Sequence, residues 1–447
     1  VLAAAALIAF GDSVRGSFHF DDYAMLASPQ GPSSWLLQTR PLTQFTFWLN
    51  YIAGGTNPLG YHIFNLLLHV AVVCVLYRAL REFVTEEVAL AAAALFAIHP
   101  IQSEPVAYVF ARSSLLATLF CLLSWQSWKR GQTSLAILFF GAALLSKEEC
   151  VTFPFVMIVF GPRRWKPIAA MLAMSLATGL HSSYATQVIA GSGAGFTAGV
   201  SPLQYLAAQG FVIVRYFRLL AVPWGFTVDP EIHPAAWEEI VAWIVVIAAL
   251  ALLRKNRWFL AGMVLLIPSS SIFPATDLAA DRRMYLPMIA FSGAIAPLVL
   301  RWRYAVAPIL ILLSVGRMEV WKSERSLWQE AVERSPDKAR PRIQLARAIA
   351  PQEALAVLDP LPANADVLTE RGRVYLDLNR PSDALREFGQ ALALTPRDAH
   401  AINNRGVALM ALGQTRAAQQ DFARALSIDP GLQDAKRNLE RATAAAK

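Results

Sequence analysis

Charge is the first thing this chain lacks. Only 16% of its 447 residues are Asp, Glu, Lys or Arg, against 55% hydrophobic, a balance too apolar for an ordinary water-soluble protein of this size. Cysteine is scarce too: Cys74, Cys121 and Cys150 stand in or beside apolar runs without paired spacing, which suggests neither a disulfide framework nor a zinc site. The net charge is +8, yet no basic stripe interleaved with aromatics occurs, so nucleic acid is not an expected partner. A full opening hydrophobic run is also missing. VLAAAALIAF has ten residues, where a bilayer crossing takes roughly 20. No small-residue cleavage site precedes Asp12, so a truncated first membrane helix is expected rather than a cleaved signal.

What charge there is lies unevenly. Residues 1–316 hold 35 of the 72 charged residues and the last 131 hold the other 37, which reads as a lipid-embedded body followed by a water-exposed tail. Apolar segments at 61–81, 86–100, 113–128, 132–146, 149–162, 167–183, 237–253, 257–273, 284–300 and 303–318 alternate with short basic clusters, such as Lys129/Arg130 and Arg163/Arg164/Lys166. The positive-inside rule puts those clusters in the cytoplasm. Alternation then requires that 205–222 does not cross, because Arg215 and Arg218 in mid-run are costly in hydrocarbon and Pro202 and Pro223 bracket it. The reading is an all-α polytopic helix bundle of about eleven crossings, over 1–321, with its N-terminus inside. A solenoid over 322–447 follows on the outer side.

That solenoid is legible as a repeat. Gly372/Gly406, Ala384/Ala418, Phe388/Phe422, Ala391/Ala425 and Pro396/Pro430 recur at an offset of 34 residues, the period and chemistry of tetratricopeptide helix pairs. Three to four units are expected, a surface better suited to docking protein than to catalysis.

Of the 15 acidic residues before position 317, twelve fall on the outer side in this topology. The outer loops also collect His19, His62, His99, Arg112, Lys147, Arg282 and Arg283 near membrane ends, where ionisable groups are functional candidates. FHFDDY puts Asp21 beside Asp22. A cationic set facing paired acids suits a substrate carrying a lipid phosphate plus a hydroxyl to be deprotonated, and Arg binds phosphate through two charge-assisted bonds at once. A divalent metal is not favoured: His99 and Glu104 lack a ligand spacing, with Pro100 and Pro105 between and beside them.

In order along the chain stand F-D-D, R-P-L-T-Q-F-T-F-W-L-N-Y, G-Y-H-I-F-N-L-L-L-H, H-P-I-Q-S-E-P-V-A-Y-V-F-A-R, S-K-E and R-M-Y-L-P, followed by the repeats. The sequence thereby resembles the transmembrane and tetratricopeptide repeat O-mannosyltransferases, polytopic glycosyltransferases of the GT-C superfamily, and looks like a bacterial relative. Gln102 departs from the family's second His after H-P, and Asp281-Arg282-Arg283-Met284-Tyr285-Leu286-Pro287 from its E-R-x-L-Y-L-P. The resemblance implies transfer of a sugar, mannose in the family, from a polyprenyl-phosphate carrier to a Ser or Thr hydroxyl of an exported protein or peptide. Such a protein sits in the bacterial inner membrane, with its site and repeats on the periplasmic side. By position, Asp21 is the expected base, with Asp22 orienting the acceptor or tuning its partner. Arg112, Lys147, Arg282, Arg283 and Tyr285 would hold the donor phosphate, with Arg40, His62, His99, Glu104 and Glu148 in support. No cofactor is required. A transporter of lipid-linked sugars and a repeat-bearing scaffold are the alternatives, the first weakened by the absence of repeated hydropathy in the membrane half.

Overall fold

The computed structural model describes residues 1–23, 39–188, 200–275 and 277–445. Among these every regular element is a helix. The chain divides into two compact units, Val1–Leu327 and Trp328–Lys447.

In the first unit local chemistry sets the helix ends. Pro58 opens the helix Pro58–Leu80, where its missing N–H costs nothing, and the Asn57 side chain accepts a bond from Leu59 N at 3.0 Å. Pro41 opens Pro41–Gly54 in the same way, after Arg40 in the left-handed region at φ 66°. Among the described residues, three stretches are long and apolar enough to cross a membrane: Pro58–Leu80, Val109–Lys129 and Asp281–Val320. Other expected segments are shorter. The 86–100 segment is the helix Glu86–Ile98, stopped before Pro100. The 149–162 segment is a 3-10 turn, Glu148–Thr152, and an eight-residue helix, Phe153–Phe160. Such a helix is about 12 Å long, under half the hydrocarbon thickness.

The 205–222 segment forms the helix Pro202–Ala221, started by a capping box of Ser201 and Gln204. Its Arg215 is buried and donates to Asp281 Oδ1 at 2.6 Å. A carboxylate from a distant segment therefore offsets the charge that, in the sequence, argues against burying this helix.

Small residues let these helices close on aromatic rings. A Cβ at Gly262 would lie 2.6 Å from the Phe291 ring, and one at Gly293 would lie 2.9 Å from Trp258, so both contacts require glycine. The same device recurs in the second unit. There the helices Ala365–Asp377, Pro381–Leu394, Ala399–Ala411, Thr415–Ile428 and Gln433–Ala445 pack each on the next, with the shorter Pro351–Leu358 before them. Gly372 faces Phe388 and Gly406 faces Phe422 in equivalent contacts, and Arg405 adds a two-pronged pair with Asp421, both bonds 2.7 Å.

Gly406→Ala should accordingly displace Phe422 and cost the second unit about 1–3 kcal/mol. An earlier thermal transition of the full chain, with faster proteolysis confined to residues beyond 364, is the expected result.

Candidate functional site

The turn bearing Asp21 is built on an unusual backbone. Phe20 lies in the left-handed region at φ 46°, a conformation that costs a bulky residue free energy and persists only where its surroundings impose it. Those surroundings are dense. The Phe20 ring meets Tyr108 edge-on, centroids 5.5 Å apart. Asp22, fully buried, accepts from His19 N at 2.9 Å and from Phe110 N at 2.8 Å. Burial pushes the Asp22 carboxyl up to about 7, against the opposing pull of those N–H donors and of His19. Asp21 instead points outward, and its Oδ2 accepts from the Tyr108 hydroxyl at 2.9 Å.

Tyr108 also carries the neighbouring cation: Arg282 Cζ lies 5.9 Å from the centre of its ring. Arg282 is held from behind by Glu104, which accepts from both its backbone N, at 2.9 Å, and its guanidinium. Asp277 lies 3.8 Å from the same guanidinium. Within electrostatic reach of Arg282 is Arg40, whose Nε and Nη2 donate to Glu148 at 2.9 and 2.5 Å. Burial alone would raise the Glu148 carboxyl, but Arg40 overrides it and holds it at about 2. Next to it Lys147 donates to Ser114 Oγ at 2.9 Å and pairs with Glu149 at 2.6 Å; burial lowers its ammonium pKa, with Glu149 acting against that shift. Lys147 and Glu148, adjacent in sequence, are therefore not partners of each other. The extended backbone at Lys147 turns their side chains to different neighbours. Arg40 comes close because Thr43 Oγ1 donates to Ser146 O at 2.9 Å, tying the start of its helix to the end of Thr133–Ser146.

Asp21, Arg282, Glu104, Arg40, Glu148 and Lys147 thus converge through one network. Other expected site residues lie elsewhere. Arg112 is fully buried, its guanidinium between the rings of Phe47 and Phe64 at 4.5 Å each, donating to Asn65 Oδ1, Tyr61 O and Thr46 O. Its donors are spent on joining three helices. Tyr285 is buried in the bundle, its hydroxyl 2.8 Å from His69 Nδ1. His99 closes a turn by accepting from Ile101 N. His62 is buried against Gly16, away from the network. Arg283 borders the network on its far side and donates to Tyr205 Oη, Leu278 O and Asp277 O. Among the described residues no group of three or more His, Cys, Asp or Glu stands close enough to hold a metal ion.

A tetratricopeptide repeat model matches residues 399–432. Over 400 residues the chain is 26% identical to protein O-mannosyl-transferase F38B6.6 of Caenorhabditis elegans, covering 80% of this chain and 54% of that protein. Over 469 residues it is 26% identical to protein O-mannosyl-transferase TMTC4 of Homo sapiens, covering 78% and 63%. The chain is a relative of the transmembrane and tetratricopeptide repeat O-mannosyltransferases. It spans between half and two thirds of the length of these relatives. Among solved structures, the crystal structure of ArnT from Cupriavidus metallidurans bound to undecaprenyl phosphate resembles it at 13% identity and a TM-score of 0.44, covering 94% of this chain and 78% of that one. That likeness is too distant to assign a site or a ligand.

In this relative of the O-mannosyltransferases, sequence reasoning missed Tyr108, Glu149 and Asp277. Tyr108 sits in the quoted run E-P-V-A-Y-V-F, but its partner Asp21 is 87 residues away, and no spacing rule links them. The hydroxyl-bearing aromatic between Glu104 and Arg112 was the available signal.

The Asp22 carboxyl offers a direct test. With a folded value of about 7 above the ordinary 3.8, the native state binds the proton more tightly than the unfolded one, so stability is full below about pH 4 and falls as pH rises to 7. Thermal unfolding between pH 4 and 8 should show this decline in the wild type, and Asp22→Asn should remove this contribution to it.

Proposed function

We propose that the chain is a membrane glycosyltransferase that moves a sugar, mannose by analogy with the names of its relatives, from a polyprenyl-phosphate carrier to a Ser or Thr hydroxyl of an exported protein or peptide. The observation that carries this reading is the Tyr108 ring: its hydroxyl holds an outward carboxylate at 2.9 Å, and its face lies 5.9 Å from a guanidinium. A proton acceptor and a phosphate-attracting cation are thereby fixed side by side.

In the reaction, Asp21 takes the acceptor hydroxyl's proton as that oxygen bonds to the anomeric carbon. The bond from that carbon to the carrier phosphate oxygen breaks, its electron pair leaves on the phosphate, and the configuration inverts. The phosphate is acidic enough to depart unprotonated, so the chain's part is one base and cationic stabilisation of the charge that develops. Arg282 and Arg40 serve that role. Each is oriented by its own carboxylate, and Arg40 keeps Nη1 clear of the Glu148 contact. Lys147 supports them from the third side, and Asp22 and Glu104 act as positioning residues behind Asp21 and Arg282.

With the N-terminus inside, the topology read from the sequence turns this corner and the repeats to the periplasmic face of a bacterial inner membrane. The acceptor docks on the repeats.

The test is transfer by the purified chain in lipid, using polyprenyl-phosphate mannose and a Ser/Thr peptide. Asp21→Asn should lose at least about 100-fold in rate while unfolding at the wild-type temperature, and Arg282→Gln should lose roughly 100-fold. Near wild-type turnover in Asp21→Asn would remove that carboxylate from the role of base.

A further inference from the structure

Four contacts tie the first outer loop to the segment that leads into the second unit, and a fifth joins that segment to Tyr108, all within Val1–Leu327. Ser17 N donates to Lys322 O at 3.2 Å, and Lys322 Nζ pairs with Asp12 at 3.3 Å. The ring of Trp321 stacks on Tyr108 with centroids 6.2 Å apart. His19, completely buried, uses both ring nitrogens: Nε2 meets Trp321 O at 2.9 Å and Nδ1 meets Glu324 Oε1 at 2.6 Å.

The proton inventory of that last pair is restrictive. A carbonyl oxygen only accepts, so Nε2 carries hydrogen. Nδ1 then either donates to the Glu324 carboxylate as part of an imidazolium or accepts from a protonated Glu324. In both cases the two side chains share one extra proton and together are neutral, which makes a buried histidine tolerable.

The position of His19 gives this pair its consequence. It immediately precedes left-handed Phe20 and stands two residues before Asp21. Its backbone N is also one of the two donors that fix Asp22. A strained residue holds its conformation only while both flanks are pinned; Tyr108 and Asp22 pin the far side, and the His19 ring pins the near one.

We propose that His19 and Glu324 are positioning residues for the Asp21 carboxylate, clamping the turn that carries it to the junction Glu319–Glu324. This rests on the reading of Asp21 as base. The clamp also means that Glu324, the first residue of the helix Glu324–Arg334, holds the base-bearing turn.

Two measurements on the full-length chain in lipid separate the clamp from the assigned reaction. Hydrogen exchange of peptides covering Ser17–Tyr23, whose Asp22 and Tyr23 amides are bonded to His19 O and Phe20 O, should speed up at least about tenfold in Glu324→Ala and His19→Ala, with protection of the Pro58–Leu80 helix unchanged. In the transfer assay both variants should lose about tenfold or more in kcat with donor KM within roughly twofold. Glu324→Gln, which can still donate to Nδ1, should recover most of both losses. Unchanged exchange in Ser17–Tyr23 in both alanine variants overturns the clamp. Unchanged kcat beside faster exchange overturns the positioning role. A wild-type chain that transfers no sugar overturns the functional reading instead, and the exchange measurement still decides the clamp.

Discussion

The hydrogen bond from the Tyr108 hydroxyl to Asp21 is the contact on which the rest of the candidate site depends. Without it an exposed carboxylate at the end of a strained turn would sample many rotamers. With it the carboxylate is set beside an aromatic ring that Arg282 also approaches. Tyr108 can do this because it is itself held on both sides, by Phe20 edge-on and by Trp321 in a stack. Preorganisation of this kind lets a site stabilise developing charge without rearranging when the charge appears.

Electrostatics of the surrounding network follow a consistent rule. Arg40, Lys147 and Arg282 each have a dedicated acid, in Glu148, Glu149 and Glu104, and Arg215 has Asp281. Unpaired cations at this depth would be costly. Paired ones are affordable and still useful, because a guanidinium bonded to a carboxylate along one edge retains donors along another. Two of the three described non-glycine residues with positive φ, Phe20 and Arg40, carry this site. Strain is stored at the positions that aim the acid and one of the cations, and the contacts around them hold it there.

The repeat unit was legible almost residue by residue. Its 34-residue period is a local property: two successive helix pairs make the same glycine-to-phenylalanine contact, so Gly406 and Phe422 repeat what Gly372 and Phe388 do. The all-helical character of the first unit was legible from hydropathy for the same reason. Its short broken pieces were not. An apolar run such as 149–162 looks continuous, yet it opens in a 3-10 turn over Glu148–Thr152, where Lys147 pairs with Glu149 two residues on and Glu148 with Arg40 from a distant segment. Arg112 illustrates the opposite error. Its charge and its place in a motif suggested a phosphate ligand, whereas Asn65 and two backbone carbonyls consume its donors among aromatic rings.

Composition, periodicity and the order of short motifs by themselves determined the fold class, the repeat tail and the relationship to the O-mannosyltransferases. Those are readable from near-neighbour patterns or from residue types in order. Only the tertiary structure decided which charges meet: that Asp22 turns inward, that Glu149 rather than Glu148 holds Lys147, and that Tyr108 joins an acid 87 positions before it to an arginine far beyond it. A pair separated by that much chain is chosen by how helices cross, and no local spacing encodes the crossing.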